Sequence, residues 1–258
     1  MRLETEIALL NSRASDLIDT FEEKADEINQ AVANAIAAAP ESHRVFHVDS
    51  VEGDDSYPGT PTQKLKTINR AVDLCPVGGS VEILLENNMS YSINSVIDTK
   101  GKIISILPSN APQDSSAYPR IIFGIYESSQ SNAAYNFTTI YGPAWISFDK
   151  CHLSFDSSHN SALSNSTSLC FFQSHAVGSG SVIYFRESIV DSGDDGASVV
   201  NCHNGTVQFI SFSTSFLTNS GNIVDFGNEG LAMVSINSSS KTVGAKWYDN
   251  AANVLSNV

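Results

Sequence analysis

Phe148-Asp149-Lys150-Cys151-His152-Leu153 matches Phe185-Arg186-Glu187-Ser188-Ile189-Val190, and the likeness extends to Phe212-Ser213-Thr214-Ser215-Phe216-Leu217. Each copy has a large apolar residue, two polar residues, a small Ser or Cys and, usually, a second apolar pair. Ile236-Asn237-Ser238-Ser239 is a weaker fourth copy. The intervals between the leading apolar residues are 37, 27 and 24 residues. A β-sandwich has no reason to repeat a motif at such a period. Stacked coils do, because each coil lays like on like and buries a face that it cannot bury alone. In that register Cys151, Ser188, Ser215 and Ser239 form one column. The longest interval contains residues 154–168, a polar Ser/Asn-rich run that reads as a loop inserted into its coil.

The surroundings agree with the repeat. From Val81 onward, β-rich runs at 81–85, 102–107, 120–124, 137–141, 145–148, 182–185 and 206–212 alternate with Gly, Ser, Asn and Asp. The expectation is an all-β architecture over 81–258, a stacked parallel solenoid. Just upstream, Leu65, Ile68, Val72 and Cys75 fall at i, i+3, i+7 and i+10, one apolar face of about three helical turns. Pro76 and Gly78-Gly79 end it. A solenoid's open end would expose its core to water, so the helix of the lead-in segment 41–80 is expected to cap the first coil.

The first forty residues follow a different rule. Leu3, Ile7, Leu10, Ala14, Leu17, Phe21, Ile28, Ala31, Ala35 and Ala38 alternate in steps of four and three, with Lys24 filling the one gap. That is a heptad pattern over 1–40, and it predicts an α-helical coiled coil stopped by Pro40. Oligomerisation is assigned to Leu3, Ile7, Leu10, Leu17, Phe21 and Ile28. Ile18 and Val32 lie beside the seam and widen the stripe, which favours three chains over two. The alternative is one amphipathic helix folded onto its own domain.

The 258 residues carry 14 Lys and Arg against 28 Asp and Glu, a formal charge of −14. Such a chain repels phosphate backbones and anionic membrane surfaces, so neither nucleic acid nor membrane insertion is expected. No apolar run approaches the ~18 residues of a membrane span. The first residues lack the basic and apolar regions of a signal peptide. Four cysteines without a C-x-x-C pair read as free thiols. Cys151-His152 and Cys202-His203 are poor chelates, since neighbours on a strand face opposite ways. No metal and no cofactor is expected, and no nucleotide or triad motif is present.

Phe46-His47-Val48-Asp49-Ser50, Gly53-Asp54-Asp55, Pro58-Gly59-Thr60, Leu65-Lys66-Thr67-Ile68-Asn69-Arg70-Ala71-Val72, Pro76-Val77-Gly78-Gly79, Val81-Glu82-Ile83-Leu84-Leu85 and Tyr91 resemble the start of the pectate-lyase-like, right-handed parallel β-helix superfamily. Behind a coiled-coil stalk, this resembles bacteriophage tail fibres and tailspikes. The resemblance implies a homotrimer made in the host cytoplasm and carried on the virion. It implies partners among other tail proteins and recognition, in some cases cleavage, of bacterial surface polysaccharide.

Cleavage by hydrolysis needs two carboxyl groups about 5–9 Å apart. The candidates are Glu187, Asp191, Asp194 and Asp195, with Asp149 and Asp156 on the preceding repeat. The alternative is that these aspartates serve turn geometry. A lyase would need a basic groove, and basic residues are sparse after residue 101. Binding alone asks for aromatic faces beside polar side chains. Tyr126 and Tyr135 flank a polar loop. Trp145 and Tyr184 sit inside strand runs, and each is either a stacking surface or core. The expectation is therefore a trimeric segment that binds a surface glycan. An endo-glycosidase of the same build and a structural spacer that binds other fibre proteins are the alternatives.

Overall fold

The computed structural model describes residues 2–38, 42–93, 95–99, 101–124, 135–138, 144–155, 170–174, 180–193, 198–202, 206–218, 222–226, 231–236, 241–243, 246–248 and 254–256. The chain divides into two compact units, Met1–Glu41 and Ser42–Val258.

The first unit is one helix, Arg2–Ala38. Leu3, Ile7, Leu10, Leu17, Phe21 and Ile28 all lie exposed on it, from 53% for Ile7 to 71% for Leu10. Between them Lys24 pairs with Glu27 at 2.6 Å, less than a turn away.

The second unit is mostly β, built from three parallel sheets. The first sheet runs His43–Val48, Ser80–Leu85, Ile103–Pro108, Trp145–Asp149, Gly180–Arg186, Thr206–Phe212, Leu231–Ile236 and Val254–Ser256. The second runs Ser90–Ile93, Arg120–Phe123, His152–Phe155, Ile189–Gly193, Ser215–Thr218 and Lys241–Val243. The third runs Ile97–Asp98, Tyr135–Thr138, Cys170–Ser174, Ser198–Cys202, Asn222–Phe226 and Lys246–Tyr248. From Ser80 on, the chain visits the first, second and third sheets in turn, and each strand pairs in parallel with the strand three places later. Parallel strands need such long crossovers, and their alternating side chains put every second residue inside.

Inside, like stacks on like. Phe148 lies opposite Phe185 with ring centroids 5.6 Å apart and planes 17° from parallel. Phe172 from the third sheet meets Phe148 at 5.6 Å and Phe185 at 6.1 Å. These rings are essentially solvent-free. Such pairs add about 0.5–1.5 kcal/mol each beyond the area that they bury.

The repeat is present but the expected third copy is displaced by one residue. Phe185 lies opposite Ser211, not Phe212, and Ser211 lies opposite Ile236, so the intervals are 37, 26 and 25. Phe212 points outward and is exposed. The space over Phe185 that Ser211 leaves is filled by Phe216, which comes from the second sheet and meets Phe185 edge-on at 5.9 Å. The column of small residues is accordingly Cys151, Ser188 and Thr214, all buried. Ser215 instead pairs with Ile189, and Ser239 lies outside the described residues. Each member of the column follows a residue in the left-handed region: Lys150 at φ 50°, Glu187 at 48° and Ser213 at 49°. The column side chain bonds back to the carbonyl two residues earlier, Ser188 to Arg186 at 2.9 Å and Thr214 to Phe212 at 3.0 Å. The corner amides then donate up the stack, Lys150 N–H to Arg186 O at 2.9 Å and Glu187 N–H to Phe212 O at 2.8 Å. Those local bonds satisfy backbone that would otherwise be strained and unpaired.

The lead-in segment closes the edge of the first sheet. Leu65 N–H donates to His47 O at 2.9 Å, Asp49 N–H to Leu65 O at 2.8 Å and His47 N–H to Gly59 O at 2.8 Å. A Cβ on Gly53 would stand 2.2 Å from Leu65 O, so only glycine permits this approach. Leu65 is thus in a β-bridge with Val48 and not in the helix, which is shorter than the spacing predicts and spans Ile68–Leu74. Thr67 caps it by accepting from Arg70 N–H at 3.1 Å, and Asp55 ties down the Lys66 and Thr67 amides at 2.9 Å. Ile68, Ala71 and Val72 are buried. At the other end the buried Lys102 donates from Nζ to Val72 O at 2.6 Å, a cation against the helix's negative pole.

Candidate functional site

The outward face of the first sheet carries the predicted site residues that the structure brings together. Trp145 lies opposite Val182, Ser147 opposite Tyr184, and Asp149 opposite Arg186. Alternation along each strand puts all six on one side, so the Trp145 and Tyr184 rings are diagonal neighbours. Neither is core: Trp145 is 44% exposed and Tyr184 half-buried. Below them lies a groove of about 200 Å³ lined by Glu82, Ser105, Ser147, Asp149, Tyr184 and Arg186, with Ile106 and Leu107 at its floor. Ser147 Oγ bonds Ser105 Oγ at 3.0 Å, which fixes two hydroxyls side by side.

Two of the three charged residues named in the lining engage each other. Arg186 Nη2 forms an ion pair with Asp149 Oδ2. That hydrogen bond, opposed by partial desolvation and helped by the charges of Asp149 and Glu187, holds the guanidinium above its ordinary range. Asp149 Oδ1 is buried and has no hydrogen-bond donor among the described residues. One step along the corner, Lys150 Nζ pairs with Glu187 Oε2 at 3.4 Å. The Tyr118 phenol stands near enough to Asp149 and Glu187 that burial, and then their charges, raise it.

A glycosidase's acid has to be kept protonated, which desolvation or a neighbouring carboxylate achieves. Asp149 and Glu187 each face a cation instead. Asp191 belongs to the second sheet, diagonal to His152. There burial and Arg120 lower the imidazole while Asp191 pulls it up. Asp156, Asp194, Asp195 and Tyr126 lie outside the described residues. Tyr135 opens a strand of the third sheet, and its side chain lies outside the described residues.

Glu82, Ser105, Ser147 and Arg186 were not singled out by the sequence. They sit on four different strands, so only strand register places them together. A larger hollow of about 420 Å³ beside the helix Ile68–Leu74 offers no free aromatic face among its described lining residues. Its one ring, Tyr91, is buried, with its hydroxyl accepting from Glu86 N–H at 2.7 Å and donating to Val48 O at 3.1 Å.

Comparison of the chain with protein-family models, with curated proteins and with solved structures gives no match.

Proposed function

We propose that this chain is a segment of a bacteriophage tail fibre or tailspike that binds a bacterial surface polysaccharide without cleaving it. In this reading residues 81–258 form a right-handed parallel β-helix, the three sheets being the sides of successive coils. Three chains associate through the seam of Leu3, Ile7, Leu10, Leu17, Phe21 and Ile28, whose exposure on a single chain leaves apolar area for neighbours to cover. The protein is made in the host cytoplasm, joins other tail proteins and works on the virion outside the cell.

One observation carries the binding role: Trp145 and Tyr184 present adjacent rings on an exposed sheet face beside a groove of hydroxyls and paired charges. Rings take the apolar faces of sugars while Ser, Asp and Arg meet the hydroxyls. The pairing of Asp149 with Arg186 and of Glu187 with Lys150 favours binding over hydrolysis. The test is an array of bacterial O-antigens and capsules probed with the protein, Trp145→Ala and Tyr184→Ala. Each variant is expected to bind at least about tenfold more weakly, the equivalent of ~1.4 kcal/mol. Reducing ends released from a bound glycan would instead establish the glycosidase. Binding to tail proteins but to no glycan would establish the spacer.

A further inference from the structure

Resting on that reading, we infer that the groove takes an uncharged or amine-bearing glycan and excludes polyanionic ones such as uronate-rich capsules. Its lining holds two acids, Glu82 and Asp149, and one base, Arg186. The base is already neutralised by an acid, with half of its side chain still exposed. Its Nη2 is bound to Asp149 Oδ2, and the charges of both Asp149 and Glu187 act on it. Lys150, the next cation along the corner, is held by Glu187. A uronate would have to share Arg186 with Asp149, in a groove whose lining is net negative and on a chain of charge −14.

The hydrogen-bonding inventory points the same way. Glu82, Ser105 and Ser147 all bring acceptor oxygens to the lining, and Arg186 is the one cation among the lining residues. A sugar hydroxyl or ammonium brings a donor, whereas a carboxylate brings two more acceptors. Ser105 and Ser147 each have a hydroxyl that turns to suit a neutral partner. Tyr184 and Trp145 supply stacking that is indifferent to charge.

The experiment uses the full chain on an array of neutral O-antigens, chitosan oligosaccharides and polygalacturonate, at 50 and 500 mM NaCl, with Tyr184→Ala as the site control. The expected hits are uncharged or amine-bearing, and Tyr184→Ala weakens them at least about tenfold. Neutral hits change less than about twofold with salt, because no counterions are released. The double variant Glu82→Gln with Asp149→Asn frees Arg186 and is expected to gain polygalacturonate binding that 500 mM NaCl abolishes. An unchanged circular dichroism spectrum shows that this variant is folded. Tyr184-dependent binding of polygalacturonate by the unaltered chain overturns the charge assignment and leaves glycan binding standing. Absence of any Tyr184-dependent hit overturns both.

Discussion

The two units of this protein treat apolar side chains in opposite ways. In the sheets, Phe148, Phe185 and Phe209 are fully enclosed by residues of their own chain. In the helix Arg2–Ala38, Leu10 and Phe21 are 71% and 67% exposed. A strand that pairs in parallel with the strand three places before it finds its partner within the same chain. A single helix with a seven-residue repeat has no such partner, because its stripe runs along a rod too long to fold onto itself. The β unit can therefore complete its core alone, whereas the helix's apolar stripe can be buried only by other surfaces.

That contrast can be broken at four points. The largest effect is expected from Leu10→Asp with Leu17→Asp. Sedimentation should fall from three chains to one while the β signal in circular dichroism stays. A monomeric unaltered protein would remove the trimer from the proposal. Next is Phe185→Ala, which empties the centre of the ring cluster. It should cost about 3–5 kcal/mol in denaturant unfolding and leave the oligomeric state intact. Third is Gly53→Ala. Its new Cβ must displace backbone at Leu65 and Asp49, so about 1–3 kcal/mol is expected, with the sheet's closed edge loosened first in hydrogen exchange. The smallest effect concerns pH. Burial, with Arg120, holds the His152 imidazole below its ordinary value of 6.5, against the pull of Asp191. The folded state then binds that proton less well than the unfolded chain. The associated stability is fully present above about pH 6.5 and is lost as pH falls through 6.5 towards the lower folded value. His152→Gln should flatten this part of the stability profile. An unchanged slope would mean that other groups set it.

How far the sequence could be read follows from the range of each interaction. Phe148 and Phe185 were legible because they stack directly and lie in matching hexapeptides. Phe212 has the matching place in its hexapeptide yet lies opposite Arg186, because a core preserves residue volume and not residue identity from strand to strand. Ser211 with Phe216 holds the inward positions that Phe185 with Val190 holds on the neighbouring strands, and the two come from different sheets. Leu65 has the right spacing for the capping helix, yet its N–H and C=O go to His47 and Asp49 on the first strand. Local periodicity cannot see that competition. Trp145, Tyr184 and Asp149 were recognisable as residue types that suit sugars, but their juxtaposition with Glu82 and Arg186 depends on register across strands 37 and more residues apart. The ion pairs of Asp149 with Arg186 and of Glu187 with Lys150 are equally invisible without it.

The corners at Lys150, Glu187 and Ser213 share one backbone form without requiring glycine, and the first two give their amides to Arg186 O and Phe212 O. Joints of identical shape are interchangeable. The chain runs 37 residues from Lys150 to Glu187 and 26 from Glu187 to Ser213, so one joint serves spans of different length. What lies between two joints is free to vary without altering the joint itself.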